Sequence, residues 1–420
     1  MGPATPALLP VALVLPVKNE AHTLPELFAA LASAPAWPTE IVFSDAGSTD
    51  GTAQLIHTWW QGAARHGTSL QVLERPGALP GGGRNAGVAV ARSEWIAFLD
   101  GGIRPEPDWL ARLYAAALAG GHDHAFGLCR FDARAGAGSG VDTGVDAGAD
   151  SGSGTALALA VCALTNGVGR TATVLPAALF HRRVFERIGL FEEHLRSAED
   201  LLWLRKFAAA FGAREVCPAA LVHYTHYPQT FGAVFRKWRA FERSSVTAGV
   251  GGAMRMAYIG TAALWLLLAV LAPPLALMLF LFYLLARGVA DPVRRCRSLL
   301  WWRRAPAALC LAPVCALVMD SAKLLGALAG YGFAPPRQPD AATGVSTALA
   351  QVASPPSSPA HPLAACPAVA AAVVPAAPAV LTASAASATS SAPPIPPISP
   401  TLSAAPAAPA ASGTPPGTGA

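Results

Sequence analysis

Four clusters in this 420-residue chain combine residue types and spacings that could do chemistry. The first is Ser44-Asp45-Ala46-Gly47-Ser48-Thr49-Asp50-Gly51-Thr52, where an apolar run gives way to a helical pattern. Ligands of open α/β sheets bind outside the carboxyl ends of the strands, so Asp45 is placed to accept hydrogen bonds from ribose hydroxyls or a base N–H. A capped strand-to-helix turn that binds nothing uses the same residues. The second is Gly81-Gly82-Gly83-Arg84-Asn85-Ala86-Gly87. It satisfies the short glycine pattern of dinucleotide folds, yet it follows a Pro-rich loop, Arg75 to Pro80, and not the first strand. Glycines that let backbone approach a ligand, with Arg84 and a helix N-terminus facing phosphate, fit better. The third is Asp100-Gly101-Gly102, closing the apolar run Trp95–Leu99. A carboxylate at a buried strand end needs a partner, which a phosphate-bound metal ion or a sugar hydroxyl supplies. The fourth is Arg196-Ser197-Ala198-Glu199-Asp200. Adjacent carboxylates point in different directions, so one can serve the helix start while the other faces a cleft as general base.

Up to about residue 235, short apolar runs alternate with helical patterns, the signature of a parallel sheet covered by helices. Strands are expected at Val11–Val17, Glu40–Ser44, Leu70–Leu73 and Trp95–Leu99, and helices near 23–33, 50–62 and 84–92. Another helix runs from Pro107-Asp108 to Ala119 before Gly120-Gly121 stops it. The segment 135–155 has only two bulky apolar residues, both valine, and reads as a disordered insertion. Beyond it come an apolar run at 173–180 and helices at 182–188 and 198–211. Between 229 and 247, Phe231, Val234, Phe235, Trp238 and Phe241 alternate with basic residues, which suggests a helix on a membrane surface, the alternative being an ordinary amphipathic core helix.

Charge is segregated. Residues 236–304 hold 11 Lys/Arg against two Asp/Glu, whereas 1–235 hold 17 against 21. Basic residues flanking apolar runs mark cytoplasmic juxtamembrane segments and not a nucleic-acid face. From Ala257 to Ala286 there are 30 residues without a charge, ~45 Å as helix against a ~30 Å hydrocarbon core. Pro273-Pro274 divides them, giving either one kinked helix or a hairpin, of which the hairpin keeps both flanking basic groups on one side. A last apolar segment, 305–330, carries Asp320 and Lys323 at pairing distance on a helix. The 80 residues after Asp340 contain no Lys, Arg, Asp or Glu, and the whole of 333–420 reads as a disordered Ala/Pro/Ser-rich tail. Seven scattered cysteines without a CxxC pair indicate neither a disulfide framework nor a zinc site. The run Val11–Val17 leads straight into Lys18-Asn19-Glu20 and reads as a first strand, not a signal peptide.

Jointly the four clusters resemble the family 2 inverting glycosyltransferases of the GT-A fold, over roughly residues 10–250. The resemblance implies an α/β, Rossmann-like nucleotide-sugar-binding domain over 1–250, a membrane region over 251–332 and the tail. It implies donor binding by Pro16, Asn19, Glu20, Asp45, Gly47, Ser48, Gly83, Arg84, Asn85 and Asp100, and catalysis by Asp200 with Glu199. It further implies a lipid-linked or envelope-glycan acceptor and a bacterial inner membrane with the catalytic domain facing the cytoplasm. A divalent cation, Mg²⁺ or Mn²⁺, belongs to the family's Asp-x-Asp motif, but here Gly102 stands in place of the second aspartate. Asp100 and His223 are then the candidate metal ligands, imidazole being a competent one. Two alternatives stay open: an inactive nucleotide-sugar-binding protein of the same fold, motivated by Gly102, and a Rossmann oxidoreductase using the glycine-rich segment.

Overall fold

The computed structural model describes residues 7–63, 67–133 and 151–332, all within the unit Met1–Ala353. The chain opens with β1 (Ala7–Val17), α1 (Leu24–Ala32), β2 (Ala36–Asp45), α2 (Thr52–Gly62), β3 (Ser69–Glu74), α3 (Pro80–Val90) and β4 (Trp95–Phe98). These four strands are parallel and lie in the order β3-β2-β1-β4. Val11, Leu13 and Leu15 of β1 enter one core with Leu24 and Leu27 of α1, while Ala12 and Val14 enter the other with Val88 of α3. Burial on both faces explains why the strand reads as an unbroken apolar run.

The second half follows as β5 (Ile103–Pro105), α4 (Trp109–Gly120), β6 (His124–Phe131), α5 (Ser151–Thr165), β7 (Thr171–His181), α6 (Arg182–Ile188), α7 (Glu199–Phe211) and β8 (Val216–Tyr224). They extend the sheet to eight strands, β3-β2-β1-β4-β7-β6-β8-β5, with β7 antiparallel to both β4 and β6. An aromatic cluster of Phe126, Phe180, Trp203 and Phe207 joins this half to α7 and fixes where α7 begins. The helix α5 starts at Ser151, so the last five residues of the segment expected to be a disordered insertion are helical. The remainder of that insertion and the tail from 333 lie outside the described residues.

Then come α8 (Phe231–Thr247), α9 (Gly252–Leu271), α10 (Pro273–Leu285), its continuation through a π turn into α11 (Asp291–Arg295), and α12 (Ala307–Gly332). Three stretches, Gly252–Leu271, Pro273–Arg295 and Ala307–Tyr331, are long and apolar enough to cross a membrane. The chain folds back at Ala272, because Trp265 Nε1 donates to the Ala276 carbonyl at 3.0 Å. Eleven residues apart on one straight helix would be ~16 Å. The hairpin is therefore present, and both arms are longer than the uncharged run indicates. Arg255 extends the first arm by pairing with Glu242 at 2.7 Å. Arg287 extends the second by a two-pronged pair with Asp320 at 2.9 and 3.1 Å, and Asp320 also takes Lys323 at 3.2 Å as the sequence predicts. Charges paired this way do not end an apolar helix.

The helix α8 packs along α12 more extensively than any other pair of helices among the described residues. A Cβ on Gly326 of α12 would stand 2.5 Å from the Arg239 carbonyl, and one on Gly330 would stand 2.8 Å from Val246 Cβ. Small residues let the two backbones approach. The aromatic side of α8 is thus partly a packing face, with Phe231 and Trp238 against the core and Phe241 exposed.

Candidate active site

A cavity of about 700 Å³ opens at the carboxyl ends of β1, β2 and β4, bounded by the start of α7 and by Phe241 and Ser245 of α8. Two loops form its floor and are stitched together. The Asn19 amide donates to Ser48 Oγ at 2.9 Å, Thr49 N–H donates to Asn19 Oδ1 at 2.8 Å, and the Glu20 amide donates to Thr52 Oγ1 at 2.9 Å. Asn19 adopts φ +57, and Ala198 at the mouth of α7 adopts φ +73. Non-glycine residues in that region are sparse and concentrate at functional sites.

The opposite wall is an ionic cluster built around Arg84. Its guanidinium donates to Glu199 Oε1 at 2.8 Å and to Asp100 Oδ1 at 2.9 Å, with Arg84 and Glu199 almost fully buried and Asp100 39% exposed. Burial by itself disfavours the arginine cation, but Asp100, Glu199 and Asp200 outweigh it and hold the proton more firmly than usual. Burial raises the Glu199 pKa; Arg84 opposes this and Asp200 adds to it. Asp200, one residue on, is only half-buried, lines the cavity, and accepts the Leu201 amide with one oxygen at 2.7 Å. The two adjacent carboxylates have separated: one belongs to the protein interior and the other to the cavity.

Several expected site residues make hydrogen bonds within the protein. Asp45 accepts Ser48 N–H at 2.9 Å and Ser48 Oγ–H at 2.7 Å, so it closes its own turn, in which Gly47 takes φ +82. Asn85 is spent on protein. Its amide nitrogen donates to the Phe191 carbonyl and Glu193 Oε1, both at 2.9 Å, and its oxygen accepts the Phe191 N–H at 2.9 Å. It clamps the loop that delivers Glu199 and Asp200. The glycines of α3 mostly make room for protein: a Cβ on Gly81 would meet the Glu192 carbonyl at 2.2 Å. Of the four glycines of α3 only Gly83 lines the cavity, beside Pro16 and Ser44. Because α3 begins at Pro80 and follows β3, Arg84 stands inside the helix and not at its N-terminus, and the segment is not a dinucleotide fingerprint.

The proposed cation ligands do not converge. His223 Nε2 faces Glu106 at 3.3 Å, and it is His226 that reaches the Asp100 turn, its Nδ1 lying 3.3 Å from the Gly102 carbonyl. Glu20 lies over the same turn, held by Thr23 Oγ1 at 2.5 Å, and its carboxyl pKa is raised chiefly by burial. Among the described residues no group of three or more His, Cys, Asp or Glu is arranged to hold a metal ion. Asp100 has one oxygen committed to Arg84 and Gly102 offers no carboxylate, so of the expected motif only the second Asp100 oxygen is left to face a cation. Two further cations, Lys18 and Arg196, line the cavity, both exposed and neither expected to bind donor. Lys18 follows the first strand directly, which is the only signal that could have found it.

Residues 12–137 match the model of the family described as Glycosyl transferase family 2. The chain is 25% identical over 270 residues to glycosyltransferase AglE of Haloferax volcanii, covering 63% of this chain and 82% of that protein. It is 33% identical over 119 residues to succinoglycan biosynthesis protein ExoO of Rhizobium meliloti, covering 28% of this chain and 33% of that one. Among solved structures, a mannosyltransferase from Pyrobaculum calidifontis in complex with GDP-Man and Mn²⁺ aligns with TM-score 0.40 and 16% identity over 76% of this chain and 86% of that one. S. aureus TarS 1-349 in complex with UDP-GlcNAc aligns with TM-score 0.36 and 19% identity over 55% and 64% of the two chains.

Proposed function

We propose that this chain, whose residues 12–137 match the glycosyl transferase family 2 model, is a glycosyltransferase that holds a nucleotide-sugar donor in the cavity beside β1, β2 and β4 and transfers the sugar with inversion. The acceptor is a hydroxyl on a lipid-linked or cell-envelope glycan. The observation that carries this reading is the separation of Glu199, locked on Arg84, from Asp200, which faces the cavity. As the acceptor oxygen bonds to the anomeric carbon, its proton passes to the Asp200 carboxylate, and the anomeric C–O bond breaks to release a nucleoside diphosphate. Charge growing on that leaving group is met by Lys18 and Arg196, because Arg84 is neutralised by its own carboxylates. Cavities of a few hundred Å³ suit ligands of nucleotide size.

The catalytic domain is assigned to the cytoplasmic face of a bacterial inner membrane. The hairpin supports this, since Met254 and Tyr258 of α9 line one depression with Arg287, Arg294 and Arg295 from the far arm. Both basic ends therefore share a side, as the distribution of Lys and Arg in membrane proteins requires.

Thermal-shift screening of the detergent-solubilised protein with UDP- and GDP-sugars identifies the donor, and single-turnover transfer then tests the base. Asp200→Asn is expected to slow transfer by roughly 10²–10⁴-fold with donor affinity kept. An unchanged rate would remove Asp200 from the mechanism. A wild-type protein that binds donor and neither transfers nor hydrolyses it is an inactive binding protein of the same fold.

A further inference from the structure

A second cavity, of about 450 Å³, adjoins the first and shares Leu79 and Arg196 with it. Its other cations come from α8, where Arg236, Arg239 and Arg243 follow at spacings of three and four and so lie on one helix face. His194 completes the polar lining, and no Asp or Glu borders the cavity. Arg196, Arg236, Arg239 and Arg243 are all exposed, and the first three form no ion pair among the described residues. Arg196, Arg236 and Arg239, kept together with no acid in the cavity lining, repel one another. An anion with several oxygens relieves that repulsion, and guanidinium matches phosphate oxygens in pairs.

Position says where the anion comes from. The backbone of α8 at Arg239 presses against Gly326 of α12, a helix long and apolar enough to cross a membrane. The arginine face thus stands between a membrane helix and the cavity that carries Asp200. We propose that this cavity binds the phosphate or pyrophosphate of a lipid-linked acceptor, anchoring the acceptor so that its sugar hydroxyl extends past Arg196 towards Asp200. The proposal rests on the glycosyltransferase reading and specifies its acceptor as an anionic lipid carrier.

The test uses the full-length protein in nanodiscs of zwitterionic lipid, with a short prenyl pyrophosphate, inorganic pyrophosphate, and UDP or GDP as separate probes. Wild type is expected to bind the prenyl pyrophosphate, and Arg236→Gln with Arg239→Gln to weaken that binding at least tenfold while nucleotide affinity stays unchanged, which also shows that the variant is folded. Equal affinity for inorganic and prenyl pyrophosphate would overturn the lipid-carrier assignment in favour of a free-phosphate site. Unchanged prenyl pyrophosphate binding in the double variant would overturn the site itself. A parallel loss of nucleotide affinity would return the arginines to the donor cavity. Failure of wild type to bind any nucleotide would instead count against the glycosyltransferase reading, so the two failures are distinguishable.

Discussion

Arg84→Met isolates the ionic cluster that separates Glu199 from Asp200. The Arg84 and Glu199 side chains are 5% and 6% exposed, so water screens little of their attraction. Removing one member of a buried pair costs about 3–5 kcal/mol, because the other charge is stranded. Asp100, at 39% exposure, regains water and adds little. Glu199 has no substitute partner: its Oε2 is already buried without a hydrogen bond. The variant therefore keeps Glu199 folded only by protonating it. A carboxyl whose folded pKa lies above the 4.5 of an ordinary glutamate binds more protons folded than unfolded between those two values. Stability falls as pH rises through that window, and without Arg84 the window extends upward. The deficit of Arg84→Met relative to wild type is thus expected to be larger at pH 8 than at pH 5. Equilibrium unfolding of the full chain in detergent at both pH values measures it, alongside Arg84→Met with Glu199→Gln, which removes both charges and should recover most of the loss. A deficit equal at both pH values and not relieved by Glu199→Gln would show that Arg84 contributes packing alone.

Two further substitutions probe how the site is held. Asn85→Ala leaves the Phe191 N–H and carbonyl without their buried partner, so about 1–3 kcal/mol of stability should be lost, with transfer falling while the nucleotide is still bound; unfolding and single-turnover rates together check this. Gly87→Ala places a Cβ 2.3 Å from Val14 Cγ1 between α3 and β1, and overpacking there should cost about 1–3 kcal/mol, read as a lower denaturation midpoint.

The parallel half of the sheet was legible because strands buried on both faces leave apolar runs such as Val11–Val17. β5, β6 and β8 were not. β6 reads His-Ala-Phe-Gly-Leu-Cys-Arg-Phe, and its first polar position is satisfied by a neighbour from distant sequence, His124 Nε2 accepting the Glu215 amide at 3.1 Å. The four clusters all reach the cavity region, yet their roles depended on contacts between residues far apart in the chain. Arg84 and Glu199 are separated by 115 positions, and nothing in the local pattern of either tells that they meet. The partners of Asn85 were hidden for the same reason, since the loop at Phe191 that it holds lies more than a hundred positions away. The membrane arms were underestimated because Arg255 and Arg287 look like helix ends when their acidic partners are out of view.

The glycine seam between α8 and α12 also makes the enzyme a ruler. Phe241 and Ser245, which wall the donor cavity, lie on the same helix whose backbone is pressed to Gly326 and Gly330. With the cavity wall fastened to α12 in this way, a membrane in which α12 is seated would hold the cavity that carries Asp200 at a set height above its plane. Under the proposed function an acceptor would then be selected by how far its hydroxyl projects from that plane, and transfer to a series of acceptors graded only in length tests this.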